Sequence, residues 1–185
     1  MKTHTGYLQG NTAQLAVTRE QTLAAADVTQ EENDVRQLHP MLRQTQDELS
    51  AAGVEEEIDD ALAYAGFWSE EALRETDPEG PVLIATTKDW KQRKALREKG
   101  PPRGRIPKTL SLMERIERKL RTKRGWDLYR QRGWIVEPVF GHAKYERRCD
   151  CFMRRGHRAV RSEWRLITAA HNLLKLWRSR QAAWV

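Results

Sequence analysis

Four side chains in the last third of the chain combine one carboxylate with basic and phenolic groups at fixed spacing. They are Tyr129, Arg132, Glu137 and Lys144, in the segment YRQRGWIVEPVFGHAK. On a helix, Glu137 and Lys144 would face the same side about two turns apart. This is the layout of a metal-binding carboxylate with a phosphate-binding lysine beside it. A plain amphipathic helix with an exposed ion pair is the alternative that these residues leave open.

This segment resembles the C-terminal signature of insertion-sequence transposases of the DDE type, with the same four residues in the same order around a VEPVFG-like core. Downstream, FMRRG and EWRLITAAHNLLKL are similar to the closing helix of that family. Upstream, GYLQG, AADVT and AGFWSEE follow the family in the same order. The resemblance covers nearly the whole chain. It implies a truncated transposase, a C-terminal portion without the front half that carries the family's first catalytic aspartate.

The resemblance implies a reaction that depends on three carboxylates and two divalent ions, usually Mg²⁺, at a phosphodiester bond. It makes Glu137 the third carboxylate and a metal ligand. It also places Tyr64, in ALAYAGFW, where the second aspartate belongs, and a phenol is neutral at pH 7. Asp60 lies about 13 Å from Tyr64 along a strand, too far to replace that ligand. The resemblance therefore predicts that this chain alone is inactive.

Charge is divided unevenly along the chain. Residues 1–80 hold 5 Lys or Arg against 17 Asp or Glu, a net charge of −12, and residues 81–185 hold 28 against 9, a net charge of +19. So basic a half predicts binding to the phosphate backbone of DNA. A solvated basic face that only balances the acidic half is the alternative. The candidate DNA-binding residues are Tyr129, Arg132 and Lys144 from the resemblance, and a helical row of Arg154, Arg158, Arg161 and Arg165.

Composition limits the class of protein. The chain has 185 residues, of which 39% are hydrophobic and 32% charged, as expected for a globular protein with a sizeable core. No apolar run approaches the length of a membrane span, and no secretory leader is present, so we expect a cytoplasmic protein without a membrane partner. Cys149 and Cys151 are poorly spaced for a disulfide and are expected as thiols.

The order of predicted elements is α/β. Residues 8–18 and 22–29 predict a hairpin, apolar positions from Val35 to Leu49 predict a helix ending near Gly53, and Ser69 predicts a helix N-cap. Further strands are predicted over 58–64 and 81–86. The resemblance specifies an incomplete ribonuclease-H-like fold that lacks its first, central strand and has a helical basic C-terminal region.

Three parts follow from this order: a partial ribonuclease-H-like α/β portion over 1–87, a basic linker or insertion over 88–108, and a helical part over 109–185. The glycines and prolines of the linker predict no regular element there. Gly125 is the predicted end of the first helix after Thr109. In the last helix, an apolar stripe of Val160, Trp164, Ile167, His171 and Leu174 is the predicted core.

Three smaller groups of residues have alternative interpretations. His142, Cys149, Cys151 and His157 could bind zinc, but the cysteine spacing favours incidental thiols. Four tryptophans could stack on unpaired bases, but helical apolar faces favour core packing for Trp126, Trp134, Trp164 and Trp177. His171 has no neighbouring nucleophile in the sequence, which favours a packed or hydrogen-bonded role.

The functional hypothesis is a truncated DDE transposase that is inactive alone, with DNA as its partner. One alternative is a DNA-binding or regulatory remnant that pairs with full-length transposase or with itself. The other is a decay product without a selected function. The residues leave these alternatives open.

Overall fold

The computed structural model describes residues 2–3, 6–7, 10–75, 82–107 and 109–182. In these residues the chain is mixed α/β, with small two-stranded sheets and a long C-terminal helix. The strands are β1 (Lys2–Thr3), β2 (Gly6–Tyr7), β3 (Thr12–Val17), β4 (Leu23–Thr29), β5 (Ala61–Ala63) and β6 (Val82–Ile84). The α-helices are α1 (Leu38–Ala51), α2 (Glu70–Glu75), α3 (Trp90–Glu98), α4 (Leu112–Arg121), α5 (Lys123–Tyr129), α6 (Gln131–Gly141) and α7 (His157–Ala182). A 3₁₀ turn covers Ala65–Phe67, and a π-helical turn covers His142–Glu146.

The chain forms two compact units. Unit 1 contains residues 1–32, 41–55 and 133–185, and unit 2 contains residues 33–40 and 56–132. Neither division falls at residue 87 or 108, so the three-part organisation of the sequence analysis stays a prediction. The α/β class is confirmed, whereas the incomplete ribonuclease-H-like architecture also stays a prediction.

The hairpin predicted near the N-terminus is confirmed in unit 1. Strands β3 and β4 pair antiparallel from Thr12 opposite Thr29 to Val17 opposite Leu23, with a register shift next to Val17. The turn is closed by a 2.8 Å hydrogen bond from the Thr18 N–H to the Thr22 carbonyl. Strand β4 is largely buried, and the C-terminal helix packs on it.

Helix α7 packs on this hairpin through the apolar stripe predicted for it. Val160 and Trp164 are 1% and 4% exposed and form a core with Ala26 and Val28 of β4. The indole of Trp164 donates a 3.1 Å hydrogen bond to the Gln14 carbonyl of β3. The polar atom of this large buried ring therefore has a partner, as burial of an indole requires.

Polar side chains of α7 also bind the backbone around the hairpin turn. Asn172 accepts a 2.9 Å hydrogen bond from the Leu23 N–H and donates a 2.8 Å bond to the Leu23 carbonyl. His171 Nε2 lies 3.0 Å from the Gln21 carbonyl. These two residues, here called the hairpin clamp, bind backbone groups at the start of β4 and in the turn before it. The hydrogen-bonded role predicted for His171 is confirmed.

Unit 2 is built around a short parallel pair, β5 and β6, with Ala61 opposite Val82 and Ala63 opposite Ile84. All three residues of β6 are buried, as expected for a strand covered on both faces. The predicted N-cap of α2 is confirmed, because Ser69 Oγ accepts a 3.0 Å hydrogen bond from the Ala72 N–H.

Two sequence-based predictions about secondary structure were wrong. Helix α1 begins at Leu38, outside the acidic run, although it ends as predicted before Gly53, whose φ is +83°. The segment 88–108 is not irregular throughout, because Asp89 caps helix α3 and Arg97 lies over the Trp126 ring at 4.6 Å. Such local capping and cation–π contact outweigh the basic composition.

Gly125 does not end a helix, contrary to the sequence prediction. It lies in the first turn of α5, where its N–H donates a 3.0 Å bond to Thr122 Oγ1. A Cβ at Gly125 would lie 2.1 Å from the Lys119 carbonyl oxygen. Position 125 therefore requires glycine because the α4 backbone approaches it closely, and not because its backbone is left-handed.

Replacement of Asn172 by Ala is expected to lower the free energy of unfolding by about 1–3 kcal/mol, because Leu23 would keep two buried backbone groups without partners. Leu173→Ala is the matched control, since Leu173 is 66% exposed on the same helix. Thermal unfolding followed by circular dichroism measures both changes. Equal destabilisation by the two substitutions would contradict a specific role for the clamp.

Candidate metal and nucleic-acid site

The four signature residues lie on consecutive helical elements. Tyr129 is the last residue of α5, Arg132 and Glu137 are in α6, and Lys144 is in the π-helical turn. Tyr129 and Arg132 belong to unit 2, whereas Glu137 and Lys144 belong to unit 1.

A proline inside α6 determines how this helix is held in unit 1. Pro138 has no N–H, so the carbonyl of Trp134, four residues earlier, loses its helical partner. The side-chain amide of Gln21, at the hairpin turn, donates a 2.9 Å hydrogen bond to that carbonyl. Gln21 itself adopts a positive φ of 61°. The proline of the VEPVFG core therefore creates an acceptor that the hairpin turn satisfies.

Glu137 is exposed on α6 and extends back over the preceding turn. Its Oε1 lies 3.3 Å from the position that a Cβ at Gly133 would occupy. Glycine at position 133 therefore leaves room for the carboxylate. The structure presents this group at the surface, where a metal ion or a phosphate-bound ion could reach it.

Lys144 does not project from the helix in the direction that α-helical spacing predicts. The π-helical turn, marked by a 3.2 Å bond from the Arg147 N–H to the His142 carbonyl, turns each residue by less than an α-helix does. The prediction that Glu137 and Lys144 face the same side assumed α-helical geometry between them. The π-helical turn does not follow that geometry, so the predicted alignment does not hold as stated. The Lys144 ammonium is exposed and lies 5.8 Å from the centre of the Phe140 ring.

Tyr64 directly follows β5. Its ring packs edge-on against Phe67 at 5.1 Å between centroids. The ring also covers Gly66, where a Cβ would lie 2.2 Å from a ring carbon. The side chain therefore packs on its own turn and is 38% exposed.

Two further carboxylates, those of Asp60 and Asp27, have basic partners. Asp60 lies 3.3 Å from Arg124 in unit 2. Asp27 accepts two hydrogen bonds from Arg161 in unit 1, at 2.5 and 2.8 Å. Among the residues that the structure describes, no group of three or more His, Cys, Asp or Glu side chains could hold a metal ion. This arrangement does not fit the two-ion site that the family reaction needs.

The arginines of the row at α7 differ from one another in exposure and in their contacts. Arg158 and Arg165 are exposed, whereas Arg161 is half-buried against Asp27. Arg154 precedes α7, and its N–H donates a 2.9 Å hydrogen bond to Glu163. Arg158 and Arg165 therefore face solvent, whereas Arg161 binds an aspartate of β4. The spacing of the arginines in the sequence could not predict this difference.

Tyr129 is a half-buried phenol whose pKa is influenced by two arginines. Burial raises the pKa of Tyr129, and the positive charges of Arg132 and Arg93 oppose that shift. The side chain is partly removed from solvent and forms a hydrogen bond with Arg132. Its contact with DNA stays a prediction.

The zinc ligands considered in the sequence have other contacts. His142 Nε2 lies 3.0 Å from Glu146, and His157 Nε2 lies 2.8 Å from the Val28 carbonyl. Cys149 and Cys151 are free thiols, the second of them exposed. Both histidines therefore have structural partners, His142 on its own turn and His157 on β4.

Core packing was the wrong interpretation for two of the tryptophans. Trp134 and Trp177 are 81% and 59% exposed, whereas Trp164 is buried. The helical spacing of aromatic residues could not distinguish the two faces. Trp134 precedes Glu137 by three residues and lies near the same side of α6.

Comparison with known proteins gives one family. Residues 86–177, which include α3 and the whole signature from Tyr129 to Lys144, match the family model described as a transposase DDE domain. Neither a curated protein nor a solved structure matches the chain. Residues 86–177 therefore belong to the DDE-type transposase family, which confirms the resemblance seen in the sequence. In the part of the chain that the structure describes, no helix is long and apolar enough to cross a membrane.

Protonation of His171 is expected to weaken the fold. Burial lowers the pKa of His171 from its ordinary value of 6.5, and the nearby charges of His142, Arg147 and Lys175 act in the same direction. The unfolded chain therefore binds the proton more tightly, so stability is kept above about pH 6.5 and falls as pH drops below it. Thermal melts across this range should show a smaller pH dependence for His171→Gln than for the original protein. An identical dependence in both would contradict the assignment.

Proposed function

We propose that this chain is a DNA-binding relative of the DDE transposases that does not itself cut or join DNA. The family match over residues 86–177 supports the relationship to proteins that move DNA. The observation that carries the loss of activity is Tyr64 in the place of the family's second aspartate. A neutral phenol packed on Phe67 supplies no negative charge to a metal ion.

The remaining carboxylates support the same conclusion. Glu137 is the candidate third ligand and is exposed enough to meet a divalent ion. Asp60, which lies too far along the strand to replace Tyr64, and Asp27 each face an arginine. An ion held by Glu137 alone would keep most of its water ligands, as Mg²⁺ does when few carboxylates are offered. No step of a phosphodiester reaction is therefore assigned to this chain.

DNA binding is supported by charge. The half of the chain from residue 81 carries a net charge of +19, and exposed cations such as Lys144, Arg158 and Arg165 occur in it. Cations of this density release condensed counterions from DNA on binding, which makes affinity independent of sequence and dependent on salt.

Purified protein with Mg²⁺ or Mn²⁺ and a duplex containing transposon ends is expected to give no cleavage or strand transfer. Two ions cannot be held through the reaction by one carboxylate. Gel analysis of end-labelled DNA measures this outcome. Tyr64→Asp should not restore activity, because a set of three carboxylates would still be incomplete.

Glu137→Gln is the control for that experiment, since it changes the candidate ligand and keeps its size. Metal-dependent nicking that disappears in this variant would overturn the proposal. It would mean that another acidic group, or a second subunit, completes the site.

Binding to duplex DNA is expected to show little sequence preference and a steep decrease with salt. Fluorescence anisotropy with two unrelated duplexes measures the logarithm of affinity against the logarithm of salt concentration. A protein that neutralises several phosphates should give a slope of about −0.9 per phosphate. Absence of binding at low salt, or affinity independent of salt, would remove DNA from the proposed function.

A further inference from the structure

The loop between α3 and α4 has an unusual backbone and no assigned function. It contains two glycines with left-handed backbone, Gly100 with φ +69° and Gly104 with φ +76°, separated by Pro101, Pro102 and Arg103. We call residues 99–106 the phosphate loop. All of its residues belong to unit 2.

One arginine of α4 organises the second half of this loop. Arg118 Nη2 donates hydrogen bonds to the carbonyls of Arg103, Gly104 and Arg105, at 2.5, 3.0 and 3.4 Å. Three consecutive carbonyls thus converge on one guanidinium group. A guanidinium has several donors in a rigid fork and suits this task better than an ammonium group.

A second arginine of α4 organises the first half in the same way. Arg121 Nη2 donates to the carbonyls of Lys99 and Gly100, at 3.2 and 2.9 Å, and Arg121 Nε also bonds to the Gly100 carbonyl at 3.2 Å. The loop is therefore fixed at both ends by the same helix, which itself begins with a capping box at Ser111.

The outward face of the loop follows from peptide geometry. The chain has no cis peptide bonds among its described residues, and in a trans peptide the carbonyl and the next N–H point in opposite directions. Carbonyls of residues 103–105 that point at Arg118 therefore direct the N–H groups of Gly104, Arg105 and Ile106 away from it. Successive N–H groups that point outward form a concave site for an anion.

The side chains around this site are positively charged, which suits an anion. Lys99, Arg103 and Arg105 are exposed on the loop, and the guanidinium groups of Arg118 and Arg121 lie beneath it. Positive side chains thus surround the outward N–H groups. The combination of point charges and oriented backbone donors is typical of phosphate recognition.

We propose that the phosphate loop binds a phosphate of the DNA backbone. This inference rests on the proposed DNA binding and names the surface that carries it. Arg118 and Arg121 are positioning residues, because they hold the loop through its carbonyls. The contacting groups are the N–H groups of residues 104–106 and the side chains of Lys99, Arg103 and Arg105.

The first test removes charge. A variant with Lys99, Arg103 and Arg105 changed to Gln should bind duplex DNA at least about tenfold more weakly at moderate salt, and its salt slope should fall by about two to three. The matched control changes Arg19, Arg36 and Arg43 to Gln, which removes the same charge from exposed positions of the acidic half, residues 1–80. The control should stay within about twofold of the original affinity.

The second test changes the backbone without changing charge. Gly104→Ala places a Cβ in open space, since no atom lies within 4 Å, but disfavours the φ of +76°. The loop should relax and redirect its N–H groups, which we expect to weaken DNA binding about fivefold, as one lost hydrogen bond would. Gly53→Ala is the control, because Gly53 has a φ of +83° and equally open space. It should leave DNA affinity unchanged.

Hydrogen–deuterium exchange on the original protein gives an independent measurement. DNA should slow exchange of the amides of residues 104–106, and sodium phosphate at the same ionic strength should do so only weakly. Protection by phosphate alone, with none added by DNA, would make the loop a site for a free anion and overturn the proposal.

The outcomes separate this inference from the proposed function. An original protein that binds no DNA overturns both. DNA binding with a normal salt slope in the triple Gln variant overturns only the phosphate loop. Equal losses in the triple Gln variant and its control would also overturn it, because affinity would then follow total charge.

Discussion

Attachment of α7 to the β3–β4 hairpin is the constraint on which the rest of unit 1 depends. Asn172 and Leu23 are 149 residues apart and share two hydrogen bonds around a buried strand end. The same hairpin turn supplies Gln21 to the Trp134 carbonyl. The helix that carries Glu137 is therefore held by a turn far away in sequence, and loosening of the hairpin would move the candidate carboxylate.

Much of the family signature is structural in this protein. Glu163 accepts hydrogen bonds from the N–H groups of Met153 and Arg154, at 2.8 and 2.9 Å, and so fixes the loop before α7. Trp164 and Asn172 bind the hairpin. These residues hold the fold whether or not the chain has catalytic function. A match to the family therefore supports ancestry and fold more strongly than it supports chemistry.

The parts of the fold that were predictable from sequence were those set by local rules. The hairpin, the end of α1 at Gly53 and the Ser69 cap all follow from nearby residues. Gly125 was misinterpreted because its reason is the Lys119 carbonyl, a contact that only the α4–α5 corner creates. Trp134 was misinterpreted because its helix is apolar on more than one side. For the candidate site, the roles of Glu137 and Tyr64 stay predictions, and the sequence could not foresee the π-helical turn at Lys144.

Net charge overstates the surface that is available to DNA. Arg161 neutralises Asp27, and Arg147 donates to the Ile167 and Ala170 carbonyls of α7, at 3.4 and 3.1 Å. Arg118 and Arg121 likewise hold backbone carbonyls, yet this use turns the opposite side of a loop into a donor surface. A guanidinium can thus favour anion binding without touching the anion, by orienting peptide dipoles. Counting arginines cannot reveal this, because the effect depends on which carbonyls they meet.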